Sequence, residues 1–134
     1  MKVAGMIIFI LIAGVVSDMY GRKPVLIIGF AVSTFALFLF TRAGSFPLLL
    51  LSGFIGGVGD GLDMSTLMAL LTDLTPQNVR GGAVGLFRTF MDIGGFTGPI
   101  IYMMMFTRYG SLSPFYLGIA MYAVNILLIA RIKN

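Results

Sequence analysis

Residues 14–26 read Gly14-Val15-Val16-Ser17-Asp18-Met19-Tyr20-Gly21-Arg22-Lys23-Pro24-Val25-Leu26. An apolar run enters this stretch from Val3 and another leaves it toward Phe40, so Asp18, Arg22 and Lys23 stand as a charged break between two apolar segments. Gly21 supplies a tight reversal, and Pro24 is pre-set for the first turn of a following helix. The stretch therefore reads as a helix–turn–helix junction, and the rest of the chain repeats its pattern of apolar run and short polar break.

A helix needs about 20 apolar residues to cross a bilayer core. Applied outward from the junction, that ruler predicts five helices over residues 3–17, 24–41, 47–72, 82–106 and 114–131, within a single membrane domain spanning 1–134. Leu-, Ile-, Phe- and Met-rich runs of this length do not alternate like barrel strands, and open strands in lipid would leave backbone groups unpaired. The expected fold class is all-α, a polytopic transmembrane bundle. The first apolar run is short for a span, and with Lys2 ahead of it and small residues near Ser17 it also fits a signal peptide. The junction at Gly21 favours a helix there instead.

Composition agrees: 58% of the 134 residues are hydrophobic and 10% are charged, with mean hydropathy +1.02, whereas soluble domains carry about 25% charge. No stretch remains for a soluble catalytic domain. The chain has no Cys and no His, which removes thiolate and imidazole chemistry and the usual transition-metal ligands; no metal, cofactor or enzymatic activity is expected. The net charge of +4 comes from Lys and Arg scattered between apolar runs, a topology signal rather than a nucleic-acid surface. Alternating the loops puts Arg22, Lys23, Arg80, Arg131 and Lys133 on one face and Lys2, Arg42 and Arg108 on the other. The richer face is expected to be cytoplasmic, and with it the C-terminus.

The 14–26 stretch resembles the signature loop of the major facilitator superfamily, G-x-L-a-D-r-x-G-R-K-x-x-L, which joins the second and third helices of each six-helix half. Gly14, Asp18, Gly21, Arg22, Lys23 and Leu26 match; Val16 and Met19 depart, so one basic group of the usual cluster is absent. Gly85, Gly94, Gly98 and Pro99 resemble the superfamily's antiporter-associated motif, G-x8-G-x3-G-P, with Tyr102-Met103 where a Gly pair usually follows. The resemblance implies a secondary transporter of a small solute in the cell membrane, working by alternating access between two six-helix halves. The five segments then correspond to helices two to six of one half, a fragment or split product whose partner is the other half. The Gly-Pro motif alone leans toward the N-terminal half. The lack of an intramembrane Arg in the third segment and the short basic tail favour the C-terminal one.

Several polar residues fall inside the apolar segments. Asp60 and Asp63 are three apart and share a helix face, which must point into protein or a water-filled cavity, because a charge facing lipid at the bilayer centre costs about 2.5–3.5 kcal/mol. A proton removes that cost, so the pair is a candidate coupling site; a structural hydrogen bond for one Asp with the other solvated is the alternative. Arg88 and Asp92 are four apart and expected to pair. Asn125 is an interhelical hydrogen-bonder or a cavity residue. Gly53, Gly57 and Gly61, spaced four apart, form a strip for tight packing or for unwinding beside a ligand, and Gly94, Gly98 and Pro99 form a small-residue face with a kink. The competing function from another class is a membrane scaffold that binds partner helices through these glycine seams. No nucleotide-binding G-x4-G-K-S/T loop occurs, so nothing supports ATP-driven transport.

Overall fold

The computed structural model describes residues 15–131. Gly14, most of the first expected segment, Lys2 and Lys133 lie outside the described residues. Residues 15–20 are helical and end at Gly21, whose φ of +91° is a conformation that a residue with a Cβ rarely adopts. Four helices follow: α1 (Arg22–Thr41), α2 (Phe46–Leu74), α3 (Arg80–Tyr109) and α4 (Ser113–Arg131). The described residues contain no strand, in agreement with the all-α expectation.

The breaks have local causes. α1 closes on Arg42, whose backbone N–H donates to the Leu39 carbonyl at 3.1 Å. Pro47 sits in the first turn of α2, where its missing N–H costs nothing. α2 ends because Thr75, preceding Pro76, is pushed to an extended conformation (φ −106°, ψ 125°). Gly110 at φ +93° terminates α3, donating its N–H to the Phe106 carbonyl. α3 continues through Pro99 as one helix of 30 residues.

α1 is the central element. It packs closely against α2 on one side and α4 on the other, while α3 leans lightly on α2 and α4 and buries no residue. Leu26 and Phe30 of α1 meet Ile129 of α4, with Leu67, Leu70, Tyr122 and Ile126 around them. The Phe40 and Phe115 rings stack with centroids 5.0 Å apart, tying the far ends of α1 and α4. Lipid offers no hydrophobic drive for helix association, so close approach of small residues takes its place. At the α1–α2 seam a Cβ on Gly59 would overlap the Ser33 hydroxyl and lie 2.8 Å from the Ser33 backbone nitrogen and 3.0 Å from the Gly29 carbonyl oxygen. Large apolar side chains such as Phe35, Phe38, Phe90 and Phe96 project outward. Three helices, α1, α2 and α4, are long and apolar enough to cross a membrane; α3 carries Arg80, Arg88, Asp92 and Arg108 within its length.

Candidate functional site

Two polar clusters stand out, one at a helix-end face and one at half height. At the face, the turn at Gly21 folds Arg22 back onto the preceding helical residues. Its Nη1 meets Asp18 Oδ1 at 2.5 Å and Ser17 Oγ at 2.6 Å, and its Nε donates to Asp73 Oδ2 at 2.9 Å. The fixed fork of the guanidinium suits this work, because it reaches three acceptors in different directions. Asp73, next to the last residue of α2, completes the cluster and links the junction to a helix end 51 residues away in sequence. Sequence reasoning missed it; the available signal was a carboxylate in the last turn of a helix, where the macrodipole disfavours an anion and so calls for a cation. Met19, at the departing position, is exposed. Lys23 lies half-buried in the first turn of α1.

The second cluster lies midway along the bundle. Asp60 is the central residue of α2 and Tyr122 that of α4. Asp63 is buried against α1, where the Ser33 hydroxyl donates to its Oδ2 at 3.3 Å. Gly29 makes room for it, since a Cβ there would collide with Asp63 Oδ1 and lie 3.2 Å from Leu62 Cβ. Among the described residues, neither Asp63 Oδ1 nor the fully buried Thr66 hydroxyl, a turn further along the same helix, has a hydrogen-bond partner. Asp60 faces away from the seam, accepting a hydrogen bond from the Tyr122 hydroxyl at 3.4 Å and lining a cavity of about 230 Å³. The two carboxylates differ in exposure, Asp63 being buried against α1 and Asp60 half-buried, and both line a second cavity of about 310 Å³ together with Tyr122.

The remaining candidates are not gathered here. Arg88 and Asp92 are exposed on α3 and form no ion pair with each other among the described residues, a correction to the expected pairing. Among the described residues no neighbouring helix covers that face, and the order cation-then-anion opposes the helix dipole. Asn125 donates to the Met121 carbonyl of its own helix at 2.8 Å rather than to another helix. Among the described residues, nothing lies within 4 Å of a Cβ position at Gly85, Gly94 or Gly98, on the face near Pro99. On α2, Gly57 and Gly61 are buried and Gly53 has open space around it. Gly59 and Gly29 add a close approach of α2 to α1.

A helical bundle whose inward carboxylates sit at half height beneath apolar outer faces defines a polytopic membrane protein. The sequence matches the Major Facilitator Superfamily model over residues 3–133, and the chain belongs to that family. It is 33% identical over 94 residues to solute carrier family 2, facilitated glucose transporter member 9, of Mus musculus, covering 68% of this chain and 18% of that protein. It is 29% identical over 120 residues to the quinolone resistance protein NorA of Staphylococcus aureus strain Mu50, covering 87% of this chain and 31% of that protein. The chain thus spans less than a third of the length of these relatives.

Proposed function

We propose that this chain forms part of a secondary transporter, not an enzyme, which moves a small solute by alternating access and couples that movement to protons at Asp60 and Asp63. Its partner is the other six-helix half, supplied by the same longer chain or by a separate subunit, and this chain corresponds to the C-terminal half. The observation that carries the reading is the placement of the two carboxylates: Asp63 buried in the α1–α2 seam beside Ser33, and Asp60 half-buried next to it, both at half height and both lining a cavity. Charge at that depth is costly unless compensated, and reversible protonation is the simplest way for it to change during a cycle. Among the described residues no Lys or Arg lines the Asp60 cavity, and a neutral or positively charged solute suits this side of the site.

The exposed face of α3, with Gly85, Gly94 and Gly98, is where the other half docks; small residues allow close helix approach. The Arg22–Asp73 cluster is a latch on the cytoplasmic face of the cell membrane, made in this conformation and broken when the halves rock. The assay is uptake into vesicles of cells producing the protein, with glucose and a quinolone as first probes because the relatives' names point to them. Asp60→Asn and Asp63→Asn should abolish flux or uncouple it from the pH gradient. Unchanged flux with unchanged pH dependence in both variants would remove the coupling assignment.

A further inference from the structure

The antiparallel pair α1 and α4 leaves a groove of about 400 Å³ between its helices. Phe35 and Phe38 of α1 and Ile119 and Ile126 of α4 wall it, and the small side chains of Ala31 and Ala123 give it depth. Phe35 and Phe38 are 54% and 46% exposed, so the groove opens outward. Thr34 also lines it, but its hydroxyl donates to the Phe30 carbonyl at 2.7 Å within α1 and presents no unpaired donor to hydrocarbon.

The groove has the depth of one leaflet. It runs from Phe38 to Ala31, about 10 Å along α1, and Ala31 lies about 16 Å below Arg42. Half of a bilayer core is about 15 Å. A helix crossing the whole membrane would need an apolar track of about 30 Å; here α1 and α4 close on each other toward the opposite face through Leu26 and Ile129.

A cation stands at the mouth. The guanidinium of Arg42 lies over the Phe38 ring, 5.4 Å from its centroid, so the ring that walls the groove also carries the charge. The face bearing the 42–45 and 110–112 loops holds Arg42 and Arg108 and none of the chain's five side-chain carboxylates. Asp18 and Asp73 surround Arg22 at the opposite face, Asp60 and Asp63 are at half height, and Asp92 is near the middle of α3. Positive charge at a membrane surface without acidic neighbours is complementary to an anionic headgroup.

We propose that the α1–α4 groove is a binding site for one anionic phospholipid of the adjoining leaflet, its acyl chain lying between Phe35, Phe38, Ile119 and Ile126 and its phosphate accepting hydrogen bonds from Arg42. The inference is independent of the coupling role given to Asp60 and Asp63 and requires only that α1 and α4 stand in the bilayer.

The test uses the purified protein in phosphatidylcholine vesicles containing a trace of phosphatidylglycerol with a photoactivatable diazirine midway along one acyl chain. Adducts are mapped on peptides by mass spectrometry, and unlabelled lipids compete. Adducts should concentrate on residues 31–38 and 119–126, and phosphatidylglycerol should displace the probe at about one fifth of the concentration that phosphatidylcholine needs, the effect of one cation at an anionic surface. Soluble glycerol phosphate should not compete, which separates a lipid site from a site for free phosphate. Arg42→Gln should bring the two lipids within about twofold while the adducts stay in place; Arg42→Lys should keep most of the preference, and Arg108→Gln should keep all of it. Ala123→Phe, which fills the groove, should remove the adducts, and Ala31→Phe repeats that test from the other helix.

Adducts spread evenly over the exposed apolar faces, including Phe90 and Phe96 of α3, would overturn the site, as would equal competition by the two lipids in the parent protein. Adducts undiminished in both Ala123→Phe and Ala31→Phe would refute the groove as the place of the acyl chain. Equal loss of preference in Arg42→Gln and Arg108→Gln would replace the Arg42 contact with a diffuse surface charge. Absence of groove adducts with crosslinks instead between this groove and another polypeptide would give the surface to a protein partner and overturn the lipid assignment.

Discussion

Replacing Gly59 with Ala tests the α1–α2 seam on which the half-height cluster depends. The new Cβ would overlap the Ser33 hydroxyl, and its contacts to the Ser33 nitrogen and Gly29 oxygen, 2.8 and 3.0 Å, are with backbone that cannot rotate away. Ordinary contact requires the helices to part by about half an ångström, which takes the 3.3 Å Ser33–Asp63 bond past hydrogen-bonding distance. Overpacking of this kind costs about 1–3 kcal/mol, at the upper end where backbone is involved; the better helix propensity of Ala returns at most about 1 kcal/mol. The expected net loss is about 2 kcal/mol, or about thirtyfold in the folding equilibrium. Gly53→Ala is the control on the same helix, since nothing lies within 4 Å of its Cβ position, and it should be neutral or slightly stabilising. Unfolding in mixed micelles by titration with a denaturing detergent measures both. Equal stability of Gly59→Ala and Gly53→Ala would refute the seam as the determinant of packing.

Two further outcomes follow from the face cluster and the open helix. Arg22→Lys should change stability by less than about 1 kcal/mol, because Asp18 and Asp73 are more than half exposed and such pairs are screened, yet it should alter the balance between transporter conformations, because an ammonium cannot hold Ser17, Asp18 and Asp73 with one planar fork; conformation-sensitive crosslinking across the Gly21 turn reads this, and an unchanged pattern would reduce the cluster to a topological role. Gly94→Leu should leave the melting of the α1–α2–α4 group unaltered, since nothing among the described residues touches that position, and should weaken co-purification with the other half; undiminished co-purification would place the partner elsewhere.

The sequence carried the helical class, the reversal at Gly21 and the membership of Arg22 and Asp18 in one cluster, because these depend on contacts within a few residues. It also placed Asp60 and Asp63 near one another on one helix. It did not tell their environments apart: residues three positions apart differ by about 60° around a helix axis, enough for one to be buried against Ser33 while the other reaches Tyr122. Which way a helix is turned depends on its neighbour, here on the space that Gly29 leaves for the Asp63 carboxylate. The same limit explains why spacing alone did not single out Gly59, whose Cβ position is filled by α1.

Long-range partners belong wholly to the tertiary structure. Asp73 reaches Arg22 across 51 residues and Tyr122 reaches Asp60 across 62; no periodicity within a single helix encodes either meeting. Local spacing determined what each helix would be and which of its residues could act together. The packing of α1 between α2 and α4 decided which carboxylate is buried against Ser33 and which meets Tyr122, because in a bundle without hydrophobic drive the rotation of each helix is set by where small residues let backbones touch.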